Sequence, residues 1–481
     1  MTPAQSQLVD TARQIGGTRA AVTDPADIRP WLTDWRGRYH GQAPAILSPA
    51  GTAEAAAIVT AARDLGVALV PQGGNTSMVG GATPPADGSA LILSTRRMRR
   101  LRTVDAEAGL AVAEAGVILA DLHDAANAVG RRFPLTLGAR GSATIGGLVS
   151  TNAGGTQVLR FGTMRRLVAG VEAVLPNGSV HDGLSALKKD NRGYDLNQLL
   201  VGAEGTLGLV TAAALVLVPG VRTRAVGWAG VASPEDALTL LRRMEARTDT
   251  IESFEIVPGA SLRLVIEHIH GTRAPLPGDH PWHVLVEAAS GDPAAPLAEM
   301  LERLLGEAIE AGLVADAVIA ASDAQADAFW RIRDSLSEAE RAAGPAAQYD
   351  ISVPVPVMPR FMIEAAAALE AAFPGSHASG FGHLGDGNVH FHVRAPAGMS
   401  AEHWYGEVAP RATRMVHDLV VAAGGSISAE HGIGQMKLAE LERLSSPAHL
   451  GALRGIKSAF DPAGLFNPGK LVKVAPGGAA T

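Results

Sequence analysis

Glycine placement constrains this chain more than any other feature. Its 481 residues include 55 glycines, against a usual share of about 7%. Many fall in three clusters: PQGGNTSMVGG (71–81), TLGARGSATIGGLVSTNAGG (136–155) and VGAEGTLGLVTAAALVLVPG (201–220). A missing Cβ permits close backbone approach, but within a helix or strand glycine costs stability. The clusters therefore read mostly as loops, and the segments between them supply regular structure. PAILSPA (44–50) reads as a short strand. TAEAAAIVTAARDLG (52–66) reads as a helix that Thr52 can cap and Gly66 can end, and VALV (67–70) as a buried strand. The order is strand, helix, strand, glycine loop. ALILST (90–95) and AGLAVAEAGV (108–117) add strands, and LADLHDAANAVG (119–130) adds a helix.

A sequence of this length exceeds one ordinary core. A boundary is expected near 220, after the long apolar strand that closes the third cluster. Strands are expected at 221–231, 253–257 and 283–289, and helices over DALTLLRRMEAR (236–247), 293–312, 323–343 and 360–372. SAEHWYGEVAPRATRMVHDLVVAAGG (400–425) has apolar residues at helical spacing, with Ser400 as cap and Pro410 as a bend or interruption. The expected domains are 1–220, 221–398, a mostly helical segment 399–472, and a flexible, dispensable tail at 473–481.

Composition narrows the chemistry. A net charge of -7 gives no support to a nucleic-acid partner. No apolar run approaches bilayer-spanning length. MTPAQSQLVD shows no secretory pattern, so the expected compartment is the cytoplasm, with a peripheral membrane association through a redox partner as a variant. The absence of cysteine excludes disulfides, iron–sulfur ligation by Cys and thiolate zinc sites, so any metal must use nitrogen and oxygen ligands.

Two groups of residues stand out. The first is the glycine loops, which match neither the G-x-G-x-x-G dinucleotide pattern nor the P-loop. They read either as tight turns or as a cradle for a diphosphate or ribityl group. The second is GFGHLGDGNVHFHV (380–393), followed by SAEHGIG (428–434). His383 and His390 flank a glycine turn, and Glu430 is a candidate third ligand. Either a divalent metal site or a buried polar network fits them, and Asp386 can cap the turn. In FWRIRDSLSEA (329–339), Arg333 and Ser337 are i,i+4 neighbours on one helix face, open to solvent or to a carboxylate.

PQGGNTSMVGG, GSATIGGLVSTNAGGTQVLRFGTMRRLVAGVEAVLPNG and DLNQLLVGAEGTLGLVT, in that order, resemble the FAD-binding domain of the vanillyl-alcohol-oxidase flavoproteins (PCMH type). With GHLGDGNVH and EHGIG, the sequence is most similar to the D-2-hydroxyacid dehydrogenases, including D-lactate and D-2-hydroxyglutarate dehydrogenases and the glycolate oxidase D subunit. The resemblance spans about 40–471. It implies an α+β protein: a two-part FAD-binding domain, an α+β substrate domain, and a small helical C-terminal segment returning to the flavin.

The resemblance also implies roles. Pro71, Gln72, Gly73, Gly74, Asn75, Thr76 and Ser77 would hold the FAD pyrophosphate. Leu137, Gly138, Gly141, Ser142, Thr144, Ile145 and Gly147, with Asn152, Gly154 and Gly155, would line the diphosphate and isoalloxazine. Glu204, Gly205, Val210 and Asn467 would complete the cofactor site. GGNTS lacks the histidine that tethers flavin in some relatives, so non-covalent FAD is expected. His383, His390 and Glu430 would ligate a divalent metal, zinc first, with manganese or iron(II) as alternatives. His431 would take the hydroxyl proton while hydride passes to flavin N5. Arg333 and Ser337 would hold the substrate carboxylate. Gln348 stands where many relatives have lysine, and His392 where the hydroxyglutarate enzymes have asparagine. Both are candidate substrate contacts, His392 with the alternative of a core position beneath the metal strand, and the lost lysine weakens the case for hydroxyglutarate itself. A separate electron acceptor (quinone, cytochrome or electron-transfer flavoprotein) and a homodimer are expected. An oxygen-using oxidase, a flavin subunit of a redox complex, and a sugar- or nucleotide-binding protein remain as alternatives.

Overall fold

Strand alternation and the glycine loops together account for the architecture. A computed structural model describes residues 1–474. The rest of the segment expected to be a loose tail lies outside the described residues. The protein forms two units. One comprises 1–155, 162–219 and 430 onward; the other comprises 156–161 and 220–429.

The first unit holds strands β1 (Ala21–Val22), β2 (Ile46–Leu47), β3 (Ala68–Gln72), β4 (Ala90–Ser94), β5 (Leu101–Asp105), β6 (Leu110–Glu114), β7 (Arg131–Arg132), β8 (Val168–Val174), β9 (Val180–Asp182), β10 (Leu209–Val216) and β11 (Val218–Pro219). One sheet has the order β1-β2-β4-β3, with β2, β4 and β3 mutually parallel. A second, antiparallel sheet has the order β5-β6-β10-β8-β9, and β11 pairs with β7. β4 is buried at every position, as a strand covered on both faces should be. Helices Pro3–Gly16 and Thr52–Leu65 cover this sheet through Leu8, Ala12, Ile58 and Val59. Thr52 does not cap its helix. Gly51 is the N-cap, and the Thr52 hydroxyl instead donates to Glu172 of the neighbouring sheet. Gly66 ends the helix in a left-handed conformation, φ 63°, as expected.

In the second unit, β12 (Thr223–Val231), β13 (Ile251–Pro258), β14 (Trp282–Ser290), β15 (Asp316–Ile319), β16 (Ala346–Ser352), β17 (His377–His383) and β18 (Asn388–Arg394) form one antiparallel sheet, order β15-β12-β14-β13-β17-β18-β16. Period-two alternation sorts its faces. Phe254, Ile256, Val389, Phe391, Val393 and Ile351 enter a core roofed by helices Pro234–Glu245, Leu297–Glu310, Met358–Ala372 and Ala409–Ala422. Val257, Leu285, Trp228 and Phe381 face the other way, beneath Gly259–His268, Asp323–Asp334 and Leu336–Ala342. The expected helix 323–343 is interrupted at Ser335.

The expected helical segment 399–472 is not one body. Ser400 caps its first turn, a π-helical stretch Trp404–Val408 follows, and Ala409–Ala422 continues. Pro410 lies at the start of that last helix, where its missing N–H is no loss. This part packs in the second unit, whereas 430 onward belongs to the first. Two contacts tie the return: Phe466 bridges Leu69 of β3, and Leu471 N donates to Gly434 O.

Candidate functional site

In the first unit, the glycine loops meet each other directly. A Cβ on Gly73 would lie 2.1 Å from Thr144 Oγ1, and one on Gly74 would lie 1.9 Å from the Ser142 carbonyl oxygen. Only glycine permits that backbone approach. Gly205 packs on Pro71, where a Cβ would sit 3.0 Å from the ring. Glu204 N donates to Ser150 O at 2.7 Å, next to the helix Ile145–Thr151. Asn467 Nδ2 donates to Gly81 O and to Glu204 O, at 2.9 and 2.7 Å. Thus Pro71–Ser77, Ser142–Gly147, Glu204–Gly205 and Asn467 converge.

Other predicted cofactor residues serve the backbone around this cradle. Asn152 adopts φ 50° and accepts from Arg165 N. Gly155 lies against the Thr136 carbonyl, and Gly154 is buried beside it. Leu137–Gly141 form a partly exposed turn with open space at Gly138 and Gly141. Val210 is buried within β10, paired with Ala173 of β8.

The Glu204 carboxylate is spent on the EHGIG segment: Oε1 accepts from Ile433 N and Oε2 from Gly434 N, each at 2.7 Å. Burial pushes this carboxyl above its usual range, against the pull of the two N–H groups and Lys437. Among the described residues, Gln72 Oε1, Thr144 Oγ1 and Asn467 Oδ1 are buried without a hydrogen-bond partner. A cradle of close-approaching glycines that also holds orphaned acceptors suits a large polar cofactor.

In the second unit, the face that carries Phe381 is polar towards its β16 edge. Register sets Glu255 opposite His383, Phe381 opposite His390, and Ser379 opposite His392. Asp350 faces His390, and Gln348 faces His392. The His383 and His390 rings stand 5.4 Å apart, nearly perpendicular. The turn between them closes because Gly387, at φ 81°, lies where a Cβ would strike the Val353 carbonyl at 2.1 Å. Asp386 accepts from Asn388 N at 2.9 Å, so it does cap the turn. His392 is buried edge-on to Phe381, at 5.0 Å. Gln348 Nε2 donates to the Ser337 carbonyl at 3.4 Å. Arg333 Nε donates to Glu255 Oε2 at 2.8 Å, and Glu255 Oε1 accepts from His383 Nδ1 at 2.6 Å.

Electrostatics follow from this triad. Burial opposes the Glu255 charge, but Arg333 and His383 outweigh it and hold the carboxyl at about 2. Burial and Arg333 pull His383 down, yet Glu255 outweighs them and raises it to about 9. The hydrogen bonds decide where its proton sits. Glu255, an ionised carboxylate, only accepts, so a proton sits at Nδ1. Arg333 Nη2 lies 3.0 Å from Nε2 and 3.4 Å from Nδ1, alongside both ring nitrogens. Glu430 follows directly on Ala429, whose N–H donates to Asp350 O on β16, the strand beside His390.

Sequence reasoning missed Glu255. The available signal was a pair of carboxylates, Glu252 and Glu255, within IESFEIVP, a strand buried at every position.

A model of FAD linked oxidases, C-terminal domain, matches residues 221–471, and one of the FAD binding domain matches 43–183. The chain belongs to the FAD-linked oxidase family. Family membership and the cradle make it an FAD-dependent oxidoreductase. It is 36% identical over 470 residues to the mitochondrial D-2-hydroxyglutarate dehydrogenase of Arabidopsis thaliana, covering 97% of this chain and 82% of that one. It is equally 36% identical over 449 residues to the D-2-hydroxyglutarate dehydrogenase of Xanthomonas citri pv. viticola, covering 93% of each. Among solved structures, p-cresol methylhydroxylase with substrate bound aligns at TM-score 0.71 and 14% identity, over 98% of this chain and 97% of that one. An alkyldihydroxyacetonephosphate synthase aligns at 0.70 and 15%, over 96% and 84%. These likenesses place the fold in the PCMH class expected from the sequence. Among the described residues, no helix is long and apolar enough to cross a membrane.

Proposed function

We propose that this protein oxidises a D-2-hydroxy acid to the 2-oxo acid and passes the electrons to a separate acceptor. The observation that carries this is the 36% identity to D-2-hydroxyglutarate dehydrogenases over nearly the whole sequence. The polar sheet face of the second unit supplies the matching chemistry.

FAD, bound without a covalent link, would supply the hydride acceptor. Residues Pro71–Ser77, Ser142–Gly147 and Asn467 would hold it: Thr144 Oγ1 and the loop backbone N–H groups can donate to a diphosphate, and the orphaned Gln72 and Asn467 amide oxygens can accept from a ring N–H. A divalent cation on His383, His390 and Glu430 would supply Lewis acidity towards the substrate hydroxyl. The donor set is nitrogen and oxygen, as a cysteine-free protein requires, and it suits zinc. His431, the residue after Glu430, takes the hydroxyl proton as general base. Arg333 holds the substrate carboxylate through its guanidinium, whose planar charge suits a carboxylate. Ser337, Gln348 and His392 shape the far end of the substrate. With glutamine at 348 there is no second cation there, which favours a mono-carboxylate such as D-lactate over D-2-hydroxyglutarate.

The test is an anaerobic visible spectrum of the purified protein before and after D-lactate or D-2-hydroxyglutarate. The flavin bands should bleach, more readily with D-lactate. Prior removal of metal by a chelator should abolish the bleaching, and Zn²⁺ should restore it. A flavin spectrum unmoved by either acid, and by D-2-hydroxy acids of greater length, refutes the proposal.

A further inference from the structure

Glu255 has no part in the reaction as drawn above, yet it is buried on the polar face with a charged or ring partner at each oxygen. It is buried in the middle of β13, and both its oxygens are engaged, one by His383 Nδ1 at 2.6 Å and one by Arg333 Nε at 2.8 Å. An ionised carboxylate only accepts, so it fixes the ring proton at Nδ1. With the proton held there, Nε2 is the ring nitrogen left for a ligand; Arg333 Nη2 lies alongside the ring, 3.0 Å from Nε2 and 3.4 Å from Nδ1.

We propose that Glu255 is a positioning residue that locks His383 in the metal-ligating tautomer while it aims Arg333, so that one carboxylate sets both the ligand and the substrate-gripping arginine. This rests on the metal reading above. A carboxylate behind a ligating imidazole orients the ring and raises its basicity, and loss of such a partner costs about 10–100-fold in metal affinity. Ligation would use Nε2, the nitrogen opposite the Glu255 contact, while the Arg333 Nε–Glu255 bond holds the guanidinium.

The isosteric change Glu255→Gln shows why the charge matters. An amide presents one acceptor and one donor. With its oxygen on Arg333, its NH2 meets Nδ1, the ring proton moves to Nε2, and the ligand position is blocked. With its oxygen on His383, its NH2 opposes the Arg333 donor.

The experiment measures Zn²⁺ affinity by competition with a chromophoric chelator on metal-stripped full-length protein, with the visible spectrum of the Co²⁺ form as a check on coordination. E255Q should bind about 10–100-fold more weakly, with an altered Co²⁺ spectrum, and R333M should bind at least as tightly as wild type. Because E255Q leaves a buried guanidinium poorly compensated, E255L/R333M removes charge and counter-charge together and decides the matter if E255Q does not fold. It should bind as weakly as E255Q. Wild-type affinity in that double variant would reduce Glu255 to a counter-ion for Arg333 and overturn the proposal, as would E255Q within about threefold of wild type. H383A separates the two readings: wild type no tighter than H383A overturns the metal site itself, and this inference with it.

Discussion

Glu204→Gln tests whether the segment bearing Glu430 and His431 is held from the flavin domain. In the native protein, the buried carboxylate receives Ile433 N–H and Gly434 N–H at 2.7 Å each. Its own backbone is pinned by Ser150 O and Asn467 Nδ2, so it has little freedom to adjust. Glutamine keeps one acceptor and turns an NH2 towards the other N–H. One buried backbone donor is then unsatisfied, at about 1–3 kcal/mol. A neutral amide is cheaper to bury than a carboxylate, so the lower half of that range is expected. Local opening should become correspondingly easier, giving about 5- to 30-fold faster hydrogen exchange at Ile433 and Gly434. Hydrogen–deuterium exchange on a peptide covering 430–436 reads this, flavin fluorescence reads FAD affinity, and anaerobic single-turnover reduction reads the chemistry. The expected outcome is faster exchange and slower reduction with FAD affinity retained. Unchanged exchange with weakened FAD would refute the anchoring role and put Glu204 on the cofactor, the role the family resemblance implies.

Three further outcomes are expected. Gly74→Ala forces a Cβ against the Ser142 carbonyl, a backbone atom; FAD affinity by titration should fall by an order of magnitude, since overpacking of this kind costs about 1–3 kcal/mol. Lys457→Met strips Nζ from Thr206 O, Phe466 O and buried Asp461; urea unfolding should lose about 3–5 kcal/mol, and Lys457→Met with Asp461→Asn should lose less. His283 is held down to about 4 by burial, with His280 adding to the effect, and its Nδ1 accepts from Trp228 Nε1 at 3.1 Å. Its folded pKa lies below the unfolded value near 6.5, so its contribution is complete above that value and is lost as pH falls towards 4. Between pH 7.5 and 5 that amounts to about 2 kcal/mol, and His283→Gln, which keeps an acceptor for Trp228, should lose that much less stability over the same interval.

Much of the first unit was legible because its signals are local. A helix ended by Gly66, a strand after it and a glycine loop beyond are fixed within thirty residues. The His383–His390 pair was equally legible, because a strand–turn–strand folds its own ends together, and the glycines in GDGN announce the turn. What escaped was set by partners distant in sequence. Glu255 and His383 are 128 residues apart, and no periodicity in either strand names the other. Arg333 and Ser337 keep i,i+4 spacing, but the helix turns at Ser335, so Ser337 is placed by its contact with Gln348 as much as by helical geometry.

The C-terminal region shows the limit of pattern reading most clearly. The apolar stripe in 400–425 establishes that a helix has a core-facing side, and Val416 and Val420 do lie in a core. The stripe cannot say which core. That choice is made by what flanks it. Residues 426–429 run beside β16, with Ser426 paired to Ser352 and Ala429 N–H on Asp350 O, and this keeps the preceding helix with the second unit. From 430 onward the partners are Glu204, Val79 and Leu69, and Leu465 and Phe466 join the core of the first sheet. The change of allegiance falls between Ala429 and Glu430. Metal ligand and base are thus proposed just after Ala429, whose N–H is tied to Asp350 O, and just before Ile433 and Gly434, whose N–H groups are tied to Glu204. A tether at both ends limits the motion of Glu430 and His431 more than either alone. It follows that loosening either end should slow substrate oxidation while the fold of each unit persists: Glu204→Gln on one side, and on the other a proline at Ala429, which removes the N–H that binds Asp350 O.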